Sequence, residues 1–524
     1  MASPTSSKPM QKLKNWLNWL DLHILKLAVF GFIFVIPLYP KLPLKMINYT
    51  FIAIRVDDIY VAFVALIFAI QFFRKRVTLP SKRMVWIFVA YWIAVFASYL
   101  WGYFVQDTVI INHLGLLHSL RRIEYMFIFF VVFATIKSKK DFFVYMNVIF
   151  SVLLVVSIYA FGQKFIGWPA VQTMNPEYAK GYLLVLDSWA RVSSTFAGHY
   201  DLAAYLILLM PLLIGFYLYT GSKKYMILVV IALGVLVLTA SRASYIAFLS
   251  SIALYLVYVR KFKVLAFVLI ITALLTPLSD NLANRLSRTF QPTKVFIDSQ
   301  TGDTFVARKL QPDDLPPGDF GAKDSSGYKT TAKNAVILKP EEELAARNQI
   351  RDSLLYEADR SGKVYTPEEI NDAVDGIFLR QIPITKYLPD ISISTRLQSS
   401  WPRAWSAFTQ NIWLGSGPSS LGEATDGDYF RWLGELGLLG TTLFLGLLTA
   451  IAWPIWQTAR RMSTKTSYLF HGFVAAFIGV FVNASYIDIF EASKLAYTFW
   501  LMAGIFYASL PFFYSKLKIT NLKI

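Results

Sequence analysis

The chain has 524 residues and a formal net charge of +18, and it is 56% hydrophobic but only 16% charged. Soluble domains carry about 25% charged residues, so this composition excludes an ordinary soluble enzyme and places most of the chain in lipid. The basic excess, which in a soluble protein would point to nucleic acid, falls between apolar runs and reads as cytoplasmic anchoring charge; the absence of cysteine excludes disulfides and thiolate metal sites.

The opening stretch MASPTSSKPMQKLKNWLNWLDLH is too long and too aromatic for a signal peptide, and no small-residue cleavage site follows it. It reads as a cytoplasmic amphipathic lead-in. A bilayer crossing needs about 17–25 apolar residues, and the sequence predicts about twelve such runs. They fall at roughly 23–39, 57–73, 84–105, 121–137, 141–163, 200–219, 224–240, 243–259, 262–278, 432–457, 467–486 and 494–515. The seventh and eighth together are about twice the length a bilayer needs, so Ser241-Arg242-Ala243-Ser244 is predicted to be a hairpin.

With the N-terminus inside, the cytoplasmic connections hold Arg74-Lys75-Arg76 with Lys82-Arg83, Lys137 with Lys139-Lys140, and Lys223-Lys224. They continue with Arg260-Lys261 and Lys263, Arg460-Arg461 and Lys465, and the Lys516 and Lys518 tail. The opposite connections hold Asp57, Asp58, Asp107, Asp488 and Glu491. This asymmetry predicts both termini in the cytoplasm.

Two long connections then face outward, at about 164–199 and 279–431. The middle of the second, about 291–389, is mildly acidic and reads as a small mixed α/β insertion. Thr366-Pro367-Glu368-Glu369 starts a helix with a capping box. A second helix is predicted over about 341–359, a short strand at AKNAVILK and a loop at QPDDLPPGD. The expected architecture is an all-α polytopic membrane protein. It has an N-terminal bundle at 1–278, an external loop region at 279–431 with its insertion, and three closing spans at 432–524.

Ionisable residues within the spans, Glu124, Asp201, Arg242, Glu435 and Lys494, are predicted near the outer ends. An ion-coupled transporter would place charges or broken helices near the midplane, which weakens a transport reading. Arg191 precedes the sixth span and is followed by His199 and Asp201; Arg242 sits in the hairpin, and Arg396 and Arg403 precede the tenth span. Converging guanidinium groups suit a diphosphate, because each presents a planar fork of donors. A headgroup anchor is the plainer reading of any one Arg, but four on a face where basic residues are depleted favour a site. His199 has the plainer alternative of bonding a backbone carbonyl, and His113 and His118 are weaker candidates still. No Walker loop, dinucleotide glycine motif, HExxH or nucleophile elbow occurs. GSGPSSLGE lacks the Lys-Ser/Thr of a phosphate loop and reads as a turn. The stretch Arg396–Gly440, with Glu423, Asp426 and Asp428 among its aromatics, reads as the floor of an external chamber.

Four stretches in this order carry a resemblance: RVSSTFAGHYDLAAYL, LTASRASYIAFL, RLQSSWPRAWSAFTQNIWLGSGPSSLG and DGDYFRWLGELGLLG. The chain resembles the O-antigen ligase and O-antigen polymerase family of bacterial envelopes from about residue 150 onward. The resemblance implies a cofactor- and metal-independent, inverting glycosyl transfer on the outer face of the cytoplasmic membrane. The donor would be a glycan on a polyprenyl (undecaprenyl) diphosphate, and the acceptor a glycan, lipid or protein. The family's Arg positions fall on Arg191 and Arg242, implied to hold the donor diphosphate. Where ligases place a His-Asn pair ahead of Glu-x-Gly-x-x-Gly, this chain has Asp426-Gly427, and its external insertion is unusual. Both departures favour a polymerase, or transfer to another envelope acceptor, over a strict lipopolysaccharide ligase. Asp426 is then the candidate base, with Asp428 and His199 as alternates. The plainer reading of Asp426 and Asp428 is that they cap the following helix. Competing expectations are a lipid-linked saccharide transporter and a membrane anchor presenting the insertion.

Overall fold

Each of the twelve predicted apolar runs is a helix in the computed structural model. The structure describes residues 8–48, 50, 53–173, 178–187, 190–279, 282, 290–298, 304–305, 340–389, 393, 395–422 and 425–514. The first nine are α1 (Lys8–Leu38), α2 (Val56–Phe73), α3 (Lys82–Phe104), α4 (Asn112–Thr135), α5 (Lys139–Phe165), α6 (His199–Thr220), α7 (Lys223–Leu238), α8 (Arg242–Tyr258) and α9 (Phe262–Leu275). Among the described residues, eight helices are long and apolar enough to cross a membrane. Of the other four, α7, α8 and α9 have 16, 17 and 14 residues, short of the usual span. The fourth, α4, is long enough but carries Arg121, Arg122 and Glu124.

The chain divides into two compact units, 1–285 with 408–420 and 426–524, and 286–407 with 421–425. In the first unit the apolar helices run back and forth, so every second connection falls at the same end. The Lys/Arg turns at 74–83, 137–140, 223–224, 260–263 and 460–465 therefore gather at one end. The acids at this basic end are paired: Asp21 with Arg74 and Arg76, and Asp141 with Lys26.

In lipid, helix association rests on close packing and interhelical hydrogen bonds rather than on expelling water. The innermost helices are α6 and the last helix, α15 (Ser493–Phe513), with 83% and 89% of their apolar windows buried, against 33% for α1 and α2. Glycine lets α6 meet α14 (Thr464–Ala484) closely: a Cβ on Gly472 would stand 2.9 Å from the Pro211 carbonyl oxygen. Beside it the Tyr255 hydroxyl donates to the Tyr468 carbonyl at 2.8 Å.

The remaining long helix, α13 (Asp428–Ala459), is interrupted at Gly437, whose φ is 61°. A break in an apolar helix leaves backbone groups that must find partners within the protein. The turn at 411–417, following α12 (Trp401–Gln410), supplies them. Leu438 and Leu439 donate to the carbonyls of Ile412 and Trp413 at 2.8 and 3.0 Å, and Ser416 and Gly417 donate to those of Gly434 and Glu435 at 2.8 and 3.0 Å. Ser98 Oγ adds a bond to the Glu435 carbonyl at 2.6 Å. The Gly-Ser-Gly-Pro turn is thus a splint for α13, which is why 408–420 belongs to the bundle rather than to the loop region that precedes it in sequence.

The second unit contains an antiparallel sheet of order β4-β3-β5, from β3 (Phe290–Asp298), β4 (Thr304–Phe305) and β5 (Gln381–Pro389); a two-stranded ribbon, β1 (Lys45–Met46) with β2 (Ala53–Ile54), lies in the first unit. Pro292 falls where β3 has β5 alone beside it, the position in a strand where a missing N–H is tolerated. Helices α10 (Pro340–Ser361) and α11 (Pro367–Phe378) follow the sequence signals, and the Thr366/Glu369 capping box closes with Glu369 N–H donating to Thr366 Oγ1 at 3.3 Å. Arg347 ties the pair by bonding Asp375 and lying 4.4 Å over the Phe378 ring. The predicted strand at 332–339, the loop at 311–319 and Glu423 lie outside the described residues.

Candidate functional site

The end of the bundle opposite the basic turns is where most of the sequence-predicted residues stand. The segment entering α6 is pinned along its length. Val192 N–H donates to the Leu238 carbonyl at 3.4 Å, and Ser194, at a φ of 51°, receives Gln163 Nε2 at its carbonyl at 2.9 Å and donates its N–H to Gln163 Oε1 at 2.7 Å. Lys494 is fully buried and gives all three hydrogens to backbone carbonyls, of Pro37 at 3.1 Å, Tyr39 at 2.6 Å and Thr195 at 2.7 Å. Its ammonium therefore ties α1, α15 and this segment together.

On that fixed backbone Arg191 Nη1 lies 2.6 Å from His199 Nε2. Guanidinium can only donate, so His199 accepts through Nε2 and keeps its proton on Nδ1. The imidazole orients Arg191, and its ring lies 4.0 Å from that of Tyr200. Arg242 begins α8 in the tight turn after α7, and it is buried. The Val192–Leu238 bond joins the two Arg-bearing segments directly, since Leu238 ends α7 just before that turn.

Behind Arg242 a relay of hydroxyls reaches α14: Ser241 Oγ donates to Ser244 Oγ at 2.8 Å, and Ser244 Oγ donates to Asn483 Oδ1 at 3.2 Å. Asn483 in turn sits near the end of α14, and the link from α14 to α15 carries Asp488 and Glu491. These acids meet two arginines. Arg122 Nε donates to Glu491 at 2.9 Å and its Nη2 to Glu435 at 2.5 Å. Arg431 Nε donates to Asp488 at 2.8 Å and its Nη1 to Glu435 at 3.2 Å. Glu435 thus bridges both guanidinium groups. Burial pushes the Asp488 carboxyl up to about 7, with Arg431 opposing the rise and neighbouring Asp426 adding to it. Burial would raise Glu491 as well, but Arg122 and Arg431 outweigh it and hold it below the usual glutamate range. Apart from this cluster, burial pulls the Lys41 ammonium down to about 8 against the attraction of Asp57.

Asp426 stands at the mouth of this cluster, partly exposed. Gly427, at a φ of 101°, is the N-cap of α13, and it makes no side-chain cap. Asp428, fully buried, caps a different element: its Oδ2 accepts from the N–H of Ile489 at 2.7 Å and of Phe490 at 3.4 Å. That brace fixes the 488–491 link beneath Asp426. The carboxylate of Asp428 is drawn to the two N–H groups of the neighbouring link, those of Ile489 and Phe490.

Arg396 and Arg403 belong to the second unit. Arg396 is buried on a single π-helical turn, Arg396–Ser400, and Arg403 Nη2 donates to Thr425 Oγ1 at 2.5 Å. Among the described residues no three His, Asp or Glu side chains gather as a metal site.

Sequence reading passed over Arg122, Arg431, Asp488 as a partner, and Asn483. Arg431 and Glu435 carried a signal, being four apart on one helix. Arg122 and Glu491 are 369 residues apart, and no local pattern pairs them. Compared with models of known protein families and with curated proteins, the chain matches none.

Proposed function

We propose that the chain is an O-antigen ligase- or polymerase-like membrane glycosyltransferase. It would cross the bacterial cytoplasmic membrane twelve times, with both termini in the cytoplasm, and move a glycan from a polyprenyl diphosphate to an acceptor on the outer face. The observation that carries the reading is the joining of the Arg191 and Arg242 segments at one end of the bundle through the Val192–Leu238 bond. That end lies opposite the basic turns, hence outside by the distribution of positive charge. The ordered set of four family-like stretches supports it from the sequence.

In this reading Arg191, oriented by His199, and Arg242 hold the diphosphate and stabilise the charge that develops on it as it leaves. The acceptor hydroxyl oxygen bonds to the anomeric carbon from the opposite face, and the bond from that carbon to the diphosphate oxygen breaks. The electron pair leaves with the diphosphate. Asp426, partly exposed where Asp428 is buried, takes the hydroxyl proton. A single displacement inverts the anomeric centre and needs no carboxylate nucleophile.

The test is transfer by the purified protein from polyprenyl diphosphate-linked glycans, read by the appearance of a new glycosidic bond. Arg191→Lys and Arg242→Lys keep charge but lose the fork, and each should lower turnover about 10- to 100-fold. Asp426→Asn should abolish it. Movement of the donor across vesicles with no new bond would replace the reading with a transporter, and full activity in all three variants would remove the clamp and the base.

A further inference from the structure

The clamp described above accounts for the guanidinium groups but not for the neutral polar side chains packed behind them. Asn483 is fully buried on α14. The Ser241–Ser244 relay ends on its amide oxygen, and its Nδ2 group makes no hydrogen bond among the described residues. Ser193 Oγ, two residues beyond Arg191, is also fully buried and without a partner among the described residues. Buried polar atoms are nearly always paired, because an unmade bond is destabilising. Here one such atom flanks each Arg-bearing segment. Ser244 connects Asn483 to the turn of Arg242, and the N–H of Val192 connects Ser193 to the same turn at Leu238.

We infer that Asn483 is a further binding residue for a diphosphate group, donating through Nδ2 to a phosphate oxygen beside Arg242, with Ser193 Oγ as a second neutral donor beside Arg191. The inference rests on the reading of Arg191 and Arg242 as a diphosphate clamp. A diphosphate has more acceptor oxygens than two guanidinium edges can satisfy. Neutral donors complete its coordination without adding positive charge, which would hold the product diphosphate too tightly for release. Free diphosphate and a polyprenyl diphosphate share this chemistry.

Asn483→Asp separates binding from scaffolding. The variant keeps the shape and an oxygen for Ser244, but it replaces the donor with an acidic oxygen facing phosphate. The full chain in detergent is titrated with inorganic diphosphate and with farnesyl diphosphate, following the melting temperature. Wild type should bind, Asn483→Asp should lose roughly 10-fold or more in affinity, and Ser193→Ala should lose about threefold. Ser244→Ala, which breaks the relay but spares Nδ2, should stay within about twofold. Binding of the farnesyl ester alone assigns the site to the lipid-linked form, and binding of both assigns it to the diphosphate itself. If Asn483→Asp does not purify as a single species, Asn483→Ala removes the donor without adding charge, and a loss of about threefold or more is expected. Wild-type affinity in the Asn483 variant, a Ser244→Ala loss as large as that of Asn483→Asp, or no wild-type binding of either probe overturns the inference. Diphosphate binding that depends on Asn483, with no glycosyl transfer in any assay, would leave the inference standing and defeat the transferase reading.

Discussion

Arg122 and Glu435, 313 residues apart in the chain, meet at 2.5 Å in the buried interior of the bundle. Glu435 also holds Arg431, so its removal leaves two buried guanidinium groups each short of a carboxylate. Breaking a buried pair from one side costs about 3–5 kcal/mol, and Glu435→Ala should lower thermal stability in detergent by that order. The single changes Arg122→Ala and Glu435→Ala should be non-additive in the double variant by at least about 1 kcal/mol. Simple addition of the two effects would mean the contact contributes nothing.

The splint on α13 predicts a sharp sensitivity to one added methyl group. A Cβ on Gly437 would stand 2.5 Å from the Trp413 carbonyl, and one on Gly415 would stand 2.6 Å from the Gly437 nitrogen. Both glycines have positive φ, 61° and 69°, so strain adds to the clash. Gly437→Ala and Gly415→Ala should each cost about 2–3 kcal/mol. Gly446, on the same helix with nothing within 4 Å of its added Cβ, is the control: Gly446→Ala should be neutral or slightly stabilising. Equal behaviour of the three variants would show that the 411–417 turn does not hold the break.

The acids at the α14–α15 link predict a signed response to pH. Asp488 binds its proton more tightly when folded, its carboxyl being raised to about 7 by burial against the pull of Arg431, with Asp426 and Glu491 adding to the rise. The stabilisation this brings is complete below the ordinary aspartate value and is lost as pH climbs through about 7. Glu491 is shifted the other way, so its contribution is present above the ordinary glutamate range and is lost on acidification. Between roughly pH 5 and 8 the melting temperature should therefore fall, and Asp488→Asn should flatten that fall. An unchanged slope in the variant would assign the pH response to another group.

Topology can be read with single cysteines, since the chain has none of its own. Thr464 lies at the basic end and Lys180 in the connection before α6, and both are exposed. In intact cells a membrane-impermeant thiol reagent should label Lys180→Cys and spare Thr464→Cys. The reverse pattern would invert the proposed orientation and move the Arg191 end into the cytoplasm.

What the sequence determined by itself is what local composition can encode. Apolar length marked the helices, because a long apolar run is visible residue by residue, and the turn Ser241–Ser244 was legible because a continuous run would have been too long. The basic turns converge at one end because alternation of short connections leaves no other arrangement. Thr366-Pro367-Glu368-Glu369 announced its helix since a capping box is complete within four residues. The tertiary structure alone decided what those helices do to one another. A glycine in a helical run does not reveal that the backbone breaks at Gly437, since the partners that make the break tolerable come from a turn some twenty residues upstream. Asp428 was placed at a helix start by sequence, yet its carboxylate follows the nearest unpaired N–H groups, which belong to Ile489 and Phe490. Arg122, Glu435 and Glu491 find one another because a buried charge must be paired, and which residue supplies the partner depends on how the helices pack.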